Sequence, residues 1–261
     1  MQLFDTHCHL NFKSFSSHFI EVARQSKDRG VSRIVIVGSD PQTSLGALER
    51  AKEINAELES SFAYCAIGIH AIHTDRGNFE EIEKLAGDPL VVAIGESGID
   101  SYHDKERKTE SEQVELFKNH IELALKLDKP LIIHNREADE RVREVVEEYP
   151  ELKKAVLHCF SSDHHMAAWA VSKGFYLSFT GNITYGNKKI KKAIERTPLE
   201  RIMVETDAPY MVPEPLRSQG VKKCEPWMAE EVVKKIAAIK NLDIVQAGEQ
   251  IYKNSIDFFG L

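Results

Sequence analysis

Short runs of apolar and β-branched residues alternate along the chain with longer stretches of helical periodicity. The short runs predict eight strands, at residues 2–5, 33–37, 62–69, 90–94, 131–133, 155–157, 175–179 and 201–204. Between them, apolar residues recur three and four positions apart, which predicts helices at residues 18–28, 41–58, 79–85, 110–127, 137–149, 164–173 and 188–197. Two further amphipathic stretches, at residues 226–239 and 243–258, predict a final pair of helices.

Local signals support several of these boundaries. Asp40 followed by Pro41 is typical of a helix N-cap with proline at the first helical position. Gly30 and Gly174 lie where a helix would end before the next strand begins. The chain is therefore divided into repeated strand–helix units.

The order of the elements predicts the fold class. Strands that are apolar on both faces and alternate with helices indicate a parallel sheet covered by helices. Eight such units close naturally into a (β/α)₈ barrel, with an extra C-terminal helix as a minor elaboration. We therefore expect an α/β protein, a TIM barrel that forms a single domain over residues 1–261. An open doubly wound sheet is the alternative.

Composition and charge limit the class of protein. The chain has 261 residues, of which 42% are hydrophobic and 29% charged, as in ordinary soluble proteins. No apolar run approaches the ~18 residues of a membrane span and the first residues do not resemble an export signal, so we expect a cytoplasmic protein without a membrane partner. No obligate protein partner is evident. The four scattered cysteines exclude a zinc finger and favour reduced thiols.

The net charge of −7 bears on nucleic-acid binding. It argues against a broad basic surface that grips long duplex nucleic acid by releasing counterions. It does not argue against a small phosphate substrate, or a nucleic-acid end, held in a pocket where bound metal ions supply the positive charge.

Polar residues directly follow the predicted strands. His7 and His9 are two apart, and side chains at that spacing on an extended segment share a face, which suits a divalent metal. The later strands are followed by His70, Glu96, His134, His158 and Asp207. If the strands form a barrel, these side chains converge on the mouth where barrel enzymes have their active sites.

Each of these residues alone has an ordinary explanation, such as a hydrogen-bonded surface histidine, a loop carboxylate or a helix cap. The set as a whole is harder to explain in that way. Four histidines and two carboxylates at one rim are too many for one tetrahedral zinc, and they match two ions with a carboxylate between them.

Five segments resemble, in order, the signature of the TatD family of metal-dependent deoxyribonucleases, which belongs to the amidohydrolase-type barrels. They are Asp5-Thr6-His7-Cys8-His9-Leu10, Gly95-Glu96-Ser97-Gly98-Ile99-Asp100, His134-Asn135-Arg136-Glu137-Ala138, His158-Cys159-Phe160-Ser161 and Glu205-Thr206-Asp207-Ala208-Pro209-Tyr210. The resemblance extends from residue 5 to about residue 230. It implies a metal-dependent hydrolase that cuts phosphodiester bonds in DNA, often from the 3′ end, so the expected partner is DNA or a nucleotide.

The resemblance also implies roles for individual residues. One ion would be held by His7, His9, Glu96 and Asp207, and the other by Glu96, His134 and His158, with Glu96 bridging the two. His70 and Arg136 would contact the substrate. The sequence does not identify the metal: zinc, manganese, nickel or iron suits a histidine-rich site, whereas magnesium prefers oxygen ligands but can support turnover in excess.

Further roles follow from the predicted positions of the residues. Asp207 is the expected acceptor of the proton of the attacking water, and Glu96 is the second catalytic carboxylate. Arg136 is expected to pair with a phosphate oxygen, the alternative being a rim salt bridge with Glu137 or Asp139.

Strand parity gives four more expectations. Asp5 and Glu205 share the parity of His7 and Asp207, and are expected either to orient the imidazoles as hydrogen-bond acceptors or to form salt bridges inside the barrel. By the same parity Cys8 and Cys159 are expected to face the helix layer as small buried hydrophobes. Loop or capping positions are expected for His73, His164 and His165.

Three departures from the family pattern concern the substrate rather than the ligands. Ala71 follows His70 where the family has proline, Cys224 precedes Glu225 where the family has asparagine, and Ser162 stands where the family has glycine. Hydrolysis of the ester of a D-aminoacyl-tRNA, or of another small ester, therefore remains an alternative. A binding protein with an inactive site is a third possibility, against which the complete ligand set argues.

Overall fold

The computed structural model describes residues 1–106 and 108–261. The strands are β1 (Leu3–Cys8), β2 (Val31–Val37), β3 (Ala63–Ile67), β4 (Val91–Asp100), β5 (Leu131–Arg136), β6 (Ala155–Leu157), β7 (Tyr176–Phe179) and β8 (Ile202–Val204). The α-helices are α1 (Phe19–Asp28), α2 (Pro41–Glu57), α3 (Phe79–Leu85), α4 (Glu110–Leu127), α5 (Asp139–Glu147), α6 (His164–Ser172), α7 (Lys188–Arg196), α8 (Ala229–Lys240) and α9 (Ile244–Phe259).

The eight strands form one parallel sheet in chain order, each paired with the next. At the carboxyl ends of the strands, the first and last strands also meet. The amide of Asp207 donates to the carbonyl of His7 over 2.9 Å, and the amide of His9 donates to the carbonyl of Ala208 over 2.8 Å. The sheet is therefore a nearly closed barrel, which confirms the predicted (β/α)₈ fold and excludes the open doubly wound sheet.

Several strands extend beyond the apolar runs that predicted them. β4 continues to Asp100, whereas its apolar run ends at Ile94, and β5 continues to Arg136. The ladder persists through polar positions, since Gly98 pairs with His134. A side chain at Gly98 would lie 1.9 Å from the carbonyl oxygen of His134, so glycine permits this close approach. Glu96 and His134 consequently lie on strands, which are more rigid supports than loops.

The helix boundaries follow the local signals closely. The carboxylate of Asp40 accepts a hydrogen bond of 2.7 Å from the amide of Thr43 and caps α2, which begins at Pro41. Gly30 adopts a φ of +93° after α1, a conformation that favours glycine. The helix predicted from residue 226 starts as a 3₁₀ turn, Pro226–Met228, before α8.

Helix α9 is the predicted addition to the eight units, and it packs against the amino end of the barrel. The side-chain amide of Asn254 donates to the carbonyls of Leu199 and Ile202 over 2.7 Å. The ring of Phe259 lies 5.5 Å from that of Phe4 on β1. No helix within the described residues is long and apolar enough to cross a membrane.

Candidate metal centre

Seven ionisable side chains meet at the carboxyl ends of six strands. They are His7 and His9 from β1 and its extension, His70 after β3, Glu96 on β4, His134 on β5, His158 after β6 and Asp207 after β8. Most of them line a cavity of about 530 Å³ at this end of the barrel. All the residues predicted from strand ends are thus brought together at one mouth.

Glu96 is the centre of this group. Its Oε1 lies 2.8 Å from His134 Nδ1, 2.8 Å from His158 Nε2 and 3.1 Å from His70 Nε2. Its Oε2 lies 3.4 Å from His7 Nε2. One oxygen of the carboxylate therefore faces three imidazoles, and the other faces the imidazole of His7.

His9 and Asp207 form the other side of the cluster. His9 Nε2 lies 3.3 Å from Asp207 Oδ1 and 3.3 Å from His7 Nε2. Asp207 has a φ of +54°, in the left-handed region, and its amide is held by the carbonyl of His7. The candidate ligand atoms of His7, His9 and Asp207 all lie within 4.8 Å of one another, as do those of His70, Glu96 and His134.

Acceptors beside the outer ring nitrogens orient three of the imidazoles: His9 and His134 form hydrogen bonds, and His158 has a carboxylate within ion-pair distance but without hydrogen-bond geometry. His9 Nδ1 lies 2.9 Å from the carbonyl of Val37, His134 Nε2 lies 3.1 Å from Asp100, and His158 Nδ1 lies 3.3 Å from Glu205. A ring proton shared with each acceptor leaves the inner nitrogen with a lone pair. These inner nitrogens suit a metal ion.

His70 is oriented differently. Its Nδ1 accepts a hydrogen bond of 3.1 Å from the amide of Ile72. The neutral ring therefore carries its proton on Nε2, the nitrogen that faces Glu96. His70 is a hydrogen-bond donor toward the cavity in this arrangement, which distinguishes it from the other histidines.

The electrostatics of the cluster favour a cation. Burial alone would raise the pKa of Glu96, but His158 and His70 hold it well below its usual value. Burial would lower the pKa of His158, yet Glu96 and Glu205 raise it well above the ordinary value. Burial would likewise lower the pKa of His9, but Asp207 raises it above the ordinary value. The buried carboxylates thus attract positive charge into the cavity.

The donor set fits divalent metal ions. Inner nitrogens lie close together, with His134 Nδ1 3.3 Å from His158 Nε2 and His7 Nε2 3.3 Å from His9 Nε2. Lone pairs at such distances repel unless a cation or a proton lies between them. Imidazole nitrogens and carboxylate oxygens are ordinary ligands of zinc, manganese and nickel.

Comparison with known proteins agrees with this site. Residues 4–260 match the family described as "TatD related DNase". The chain belongs to the TatD family. It is therefore a metal-dependent hydrolase, as the predicted signature implied.

Individual relatives cover the chain almost completely. It is 36% identical to the "Uncharacterized metal-dependent hydrolase YabD" of Bacillus subtilis, over 98% of both chains. It is 28% identical to the "3'-5' ssDNA/RNA exonuclease TatD" of Erwinia amylovora, over 99% of this chain and 100% of that protein. The crystal structure of the TatD homologue YJJV from Escherichia coli has a TM-score of 0.85 and 25% identity, over 99% of this chain and 98% of that one.

Two expectations from strand parity are wrong for this TatD protein. Asp5 was expected beside the imidazoles or in an interior salt bridge, but its carboxylate accepts from the amide and hydroxyl of Thr206 over 2.8 and 2.6 Å. The β1–β2 register shifts between Asp5 and Cys8, so alternation does not carry through the segment. Cys159 was expected to face the helices as a buried hydrophobe, but it is only partly buried and lines the cavity, because β6 ends at Leu157 and Cys159 turns with a φ of +43°.

The remaining predicted residues lie as follows. Glu205 faces His158 and accepts a hydrogen bond of 2.6 Å from the amide of Cys159. Arg136 lines the cavity, with its guanidinium 4.2 Å from the ring centre of Tyr102. Within the described residues it forms no ion pair with Glu137 or Asp139, so the alternative of a rim salt bridge is not realised.

His73, expected in a solvated or capping position, also lines the cavity. Its Nδ1 lies 3.0 Å from the carbonyl of Ser39. His165 is exposed, and it opens α6 together with the partly buried His164, as expected.

Asp100 and His103 are site residues that the sequence did not identify. Asp100 Oδ2 lies 3.1 Å from His134 Nε2 and 2.8 Å from His103 Nδ1. Although burial would raise it, hydrogen bonds from His134 and His103 hold the pKa of Asp100 well below its ordinary value. Asp100 belongs to a quoted family segment, but its strand was predicted to end six residues earlier, so it was not assigned to the mouth.

His120 is a third residue that the sequence did not identify. It lies on α4, completely buried, and its Nε2 accepts a hydrogen bond of 2.9 Å from the amide of Ile69. A side chain at Gly68 would lie 3.0 Å from the same Nε2 and 2.7 Å from the backbone of Gly95. His120 thus fixes the backbone just before His70. The loop that follows has Ala71 where the family has proline.

Proposed function

We propose that this TatD protein is a deoxyribonuclease that removes nucleotides from the 3′ end of DNA with the help of two divalent ions. The observation that carries the proposal is the position of Glu96, whose two oxygens face imidazoles from four other loops and strands. A carboxylate shared in this way suits a pair of ions in two-metal hydrolysis. The Erwinia amylovora relative, named as an exonuclease on single-stranded DNA and RNA, supports the choice of substrate.

The ligands in this proposal are those with inner lone pairs. His7, His9, Asp207 and Glu96 would hold one ion, and Glu96, His134 and His158 would hold the other. When bound, divalent ions such as zinc, manganese, nickel or magnesium polarise the scissile phosphodiester and promote the ionisation of water near neutral pH. The outer acceptors Asp100 and Glu205 would keep two of these imidazoles in the required tautomer.

The chain's own groups then handle the proton and the substrate. Asp207 is the proposed proton acceptor, since nearby histidines lower its pKa against the effect of burial and keep it ionised. His70 donates from Nε2 toward the cavity and would contact a non-bridging phosphate oxygen. Arg136 lines the same cavity without a carboxylate partner in the described residues, so its guanidinium is available to a phosphate.

The experiment is a nuclease assay on single-stranded DNA of 20 nucleotides with Mn²⁺, Zn²⁺, Ni²⁺ or Mg²⁺ added after treatment with a chelator. A strand labelled at its 5′ end should shorten stepwise, and a strand labelled at its 3′ end should release a labelled mononucleotide at once. Glu96→Gln should abolish both, whereas Glu140→Gln, at an exposed carboxylate on α5, should not. Release of long fragments first would contradict an exonuclease acting from the 3′ end.

A D-aminoacyl-tRNA deacylase or small-ester hydrolase is the competing proposal, because the same metal chemistry attacks carboxylic esters. Free D-amino acid released from D-aminoacyl-tRNA, without any shortening of DNA, would favour it. Arg136, whose guanidinium stacks on Tyr102 and has no carboxylate partner among the described residues, favours a substrate with a phosphate, such as DNA or tRNA, over an uncharged small ester.

A further inference from the structure

Helix α7 carries a concentrated positive charge in an acidic protein. Its nine residues include four lysines and one arginine but a single glutamate, whereas the whole chain has a net charge of −7. Its four lysines are all exposed, while Ile190 and Ala193 face the core. The charge is therefore confined to the solvent side of one helix.

This charge conflicts with the local stability of the helix. The N-terminus of a helix carries a partial positive charge and favours acidic residues. Helices α1, α3, α4, α5 and α8 have acidic residues in the first turn, and α2, α6 and α9 have none. Helix α7 goes further, because it begins with Lys188 and Lys189. Lys191 pairs with Glu195 over 3.5 Å, whereas Lys188, Lys189 and Lys192 have no ion-pair partner among residues 1–106 and 108–261. Departures from local rules of this kind concentrate at functional sites.

The position of α7 connects this charge to the cavity. The segment after β7 enters the mouth as a 3₁₀ turn, Gly181–Tyr185, in which Asn182 lines the cavity. Lys188 follows Asn182 by only six positions in the chain, which limits the distance between their Cα atoms to about 20 Å. Between them Tyr185 is 39% exposed, and the guanidinium of Arg217 lies 4.5 Å from its ring centre.

The start of the neighbouring helix α6 lies beside the lysines of α7. His164 and His165 open α6 and their rings are 4.1 Å apart. Desolvation and the nearby Lys192 lower the pKa of His164, so the positive field of α7 reaches it. The carboxylate of Asp163 is engaged as the N-cap of α6 by the amide of His165 over 2.8 Å.

We propose that Lys188, Lys189 and Lys192, here called the α7 basic face, bind the phosphodiester backbone of a nucleic-acid strand whose end lies in the cavity. This inference rests on the proposed nuclease function and deepens it: the preferred substrate is a strand several nucleotides long, and mononucleotide esters lack the part that α7 holds. DNA and RNA offer the same backbone chemistry.

The expected salt dependence of strand binding follows from counterion release. Each lysine–phosphate contact with a single strand contributes about 0.7 to the slope of log affinity against log salt. The three lysines of the α7 basic face together contribute about 2 to this slope. Between 50 and 200 mM salt, a slope of that size weakens binding about 20-fold.

The test is the variant Lys188→Glu/Lys189→Glu/Lys192→Glu. Its control is Lys27→Glu/Lys84→Glu/Lys153→Glu, which makes the same charge change at three exposed lysines near the amino end of the barrel. Substrates are DNA and RNA of 20 nucleotides and the small diester bis-p-nitrophenyl phosphate. Relative to the control, the α7 variant should lose at least tenfold in kcat/KM on a 20-mer and reduce the salt slope by about 2, with the small diester unaffected.

Outcomes separate this inference from the proposed function. Equal kcat/KM and salt slope on 20-mers in the α7 variant and its control would overturn the α7 basic face. An equal loss on the small diester would also overturn it, since the variant would then have damaged the cavity. If the wild type hydrolyses no phosphodiester, the proposed function fails, and fluorescence anisotropy of labelled DNA and RNA 20-mers on the same variants still decides whether α7 binds a strand. If kcat/KM falls on DNA alone or on RNA alone, that polymer is the one whose backbone the α7 basic face binds.

Discussion

The burial of His120 leads to a quantitative prediction about stability and pH. Its Nε2 must be unprotonated to accept from the amide of Ile69, and its Nδ1 lies 2.7 Å from the carbonyl of Leu116. Protonation would therefore place a second hydrogen where an acceptor is needed, inside the core. His120→Gln can keep an acceptor for Ile69 but cannot take up a proton in this pH range.

The magnitude follows from the pKa. Burial lowers the pKa of His120 from 6.5 to about 4. Between these values the unfolded chain binds more protons than the folded one, so the free energy of unfolding rises with pH. From pH 5 to pH 7 the histidine should contribute about 2 kcal/mol to that rise, since each unit of difference in pKa is worth about 1.4 kcal/mol.

The assay is urea denaturation of wild type and His120→Gln at pH 5 and pH 7, in the presence of a chelator. Other titrating groups are common to both proteins and cancel in the comparison. The wild type should lose about 2 kcal/mol more than the variant on acidification. His165→Gln, at an exposed histidine, should lose as much as the wild type. An identical loss in wild type and His120→Gln would refute the argument that a neutral His120 holds Ile69.

Three other predictions concern the mouth of the barrel. Asp100→Asn should weaken metal affinity by about 10- to 100-fold, because His134 loses the carboxylate that orients it. Competition with a chelating dye measures this affinity. Arg136→Lys should raise KM for DNA about tenfold with little change in kcat, because the ammonium neither forms two parallel hydrogen bonds nor stacks on Tyr102 as a guanidinium does. Cys159 should react slowly with iodoacetamide at pH 8 although it lines the cavity, because burial raises the pKa of its thiol well above the ordinary value; rapid labelling seen by mass spectrometry would contradict this.

The barrel could be predicted because its periodic signals are local. Each buried strand is an apolar run, and each helix has a stripe of apolar residues, so order and number follow from the sequence. The extension of β4 to Asp100 could not be predicted in this way. It depends on Gly98 pairing with His134, a contact between residues far apart in the chain, in a segment that is not apolar.

The candidate site was predictable to the same degree. His7, His134 and His158 follow apolar runs, so the barrel geometry alone implies that they meet. Asp100 and His120 act through partners 34 and 51 positions away, and only the folded chain brings those partners together. A period of two also fails where the backbone leaves the regular strand, as it does before Cys159.

Closure of the barrel and assembly of the cluster share two backbone hydrogen bonds. β1 and β8 share no ladder within the described residues, and they are joined at the mouth by the amides of Asp207 and His9. These bonds position the two residues that face each other across one side of the site, His9 and Asp207. A change that loosens the junction of the first and last strands would therefore separate that pair, and His7 from Glu96, before it disturbs the contacts of Glu96 with His70, His134 and His158.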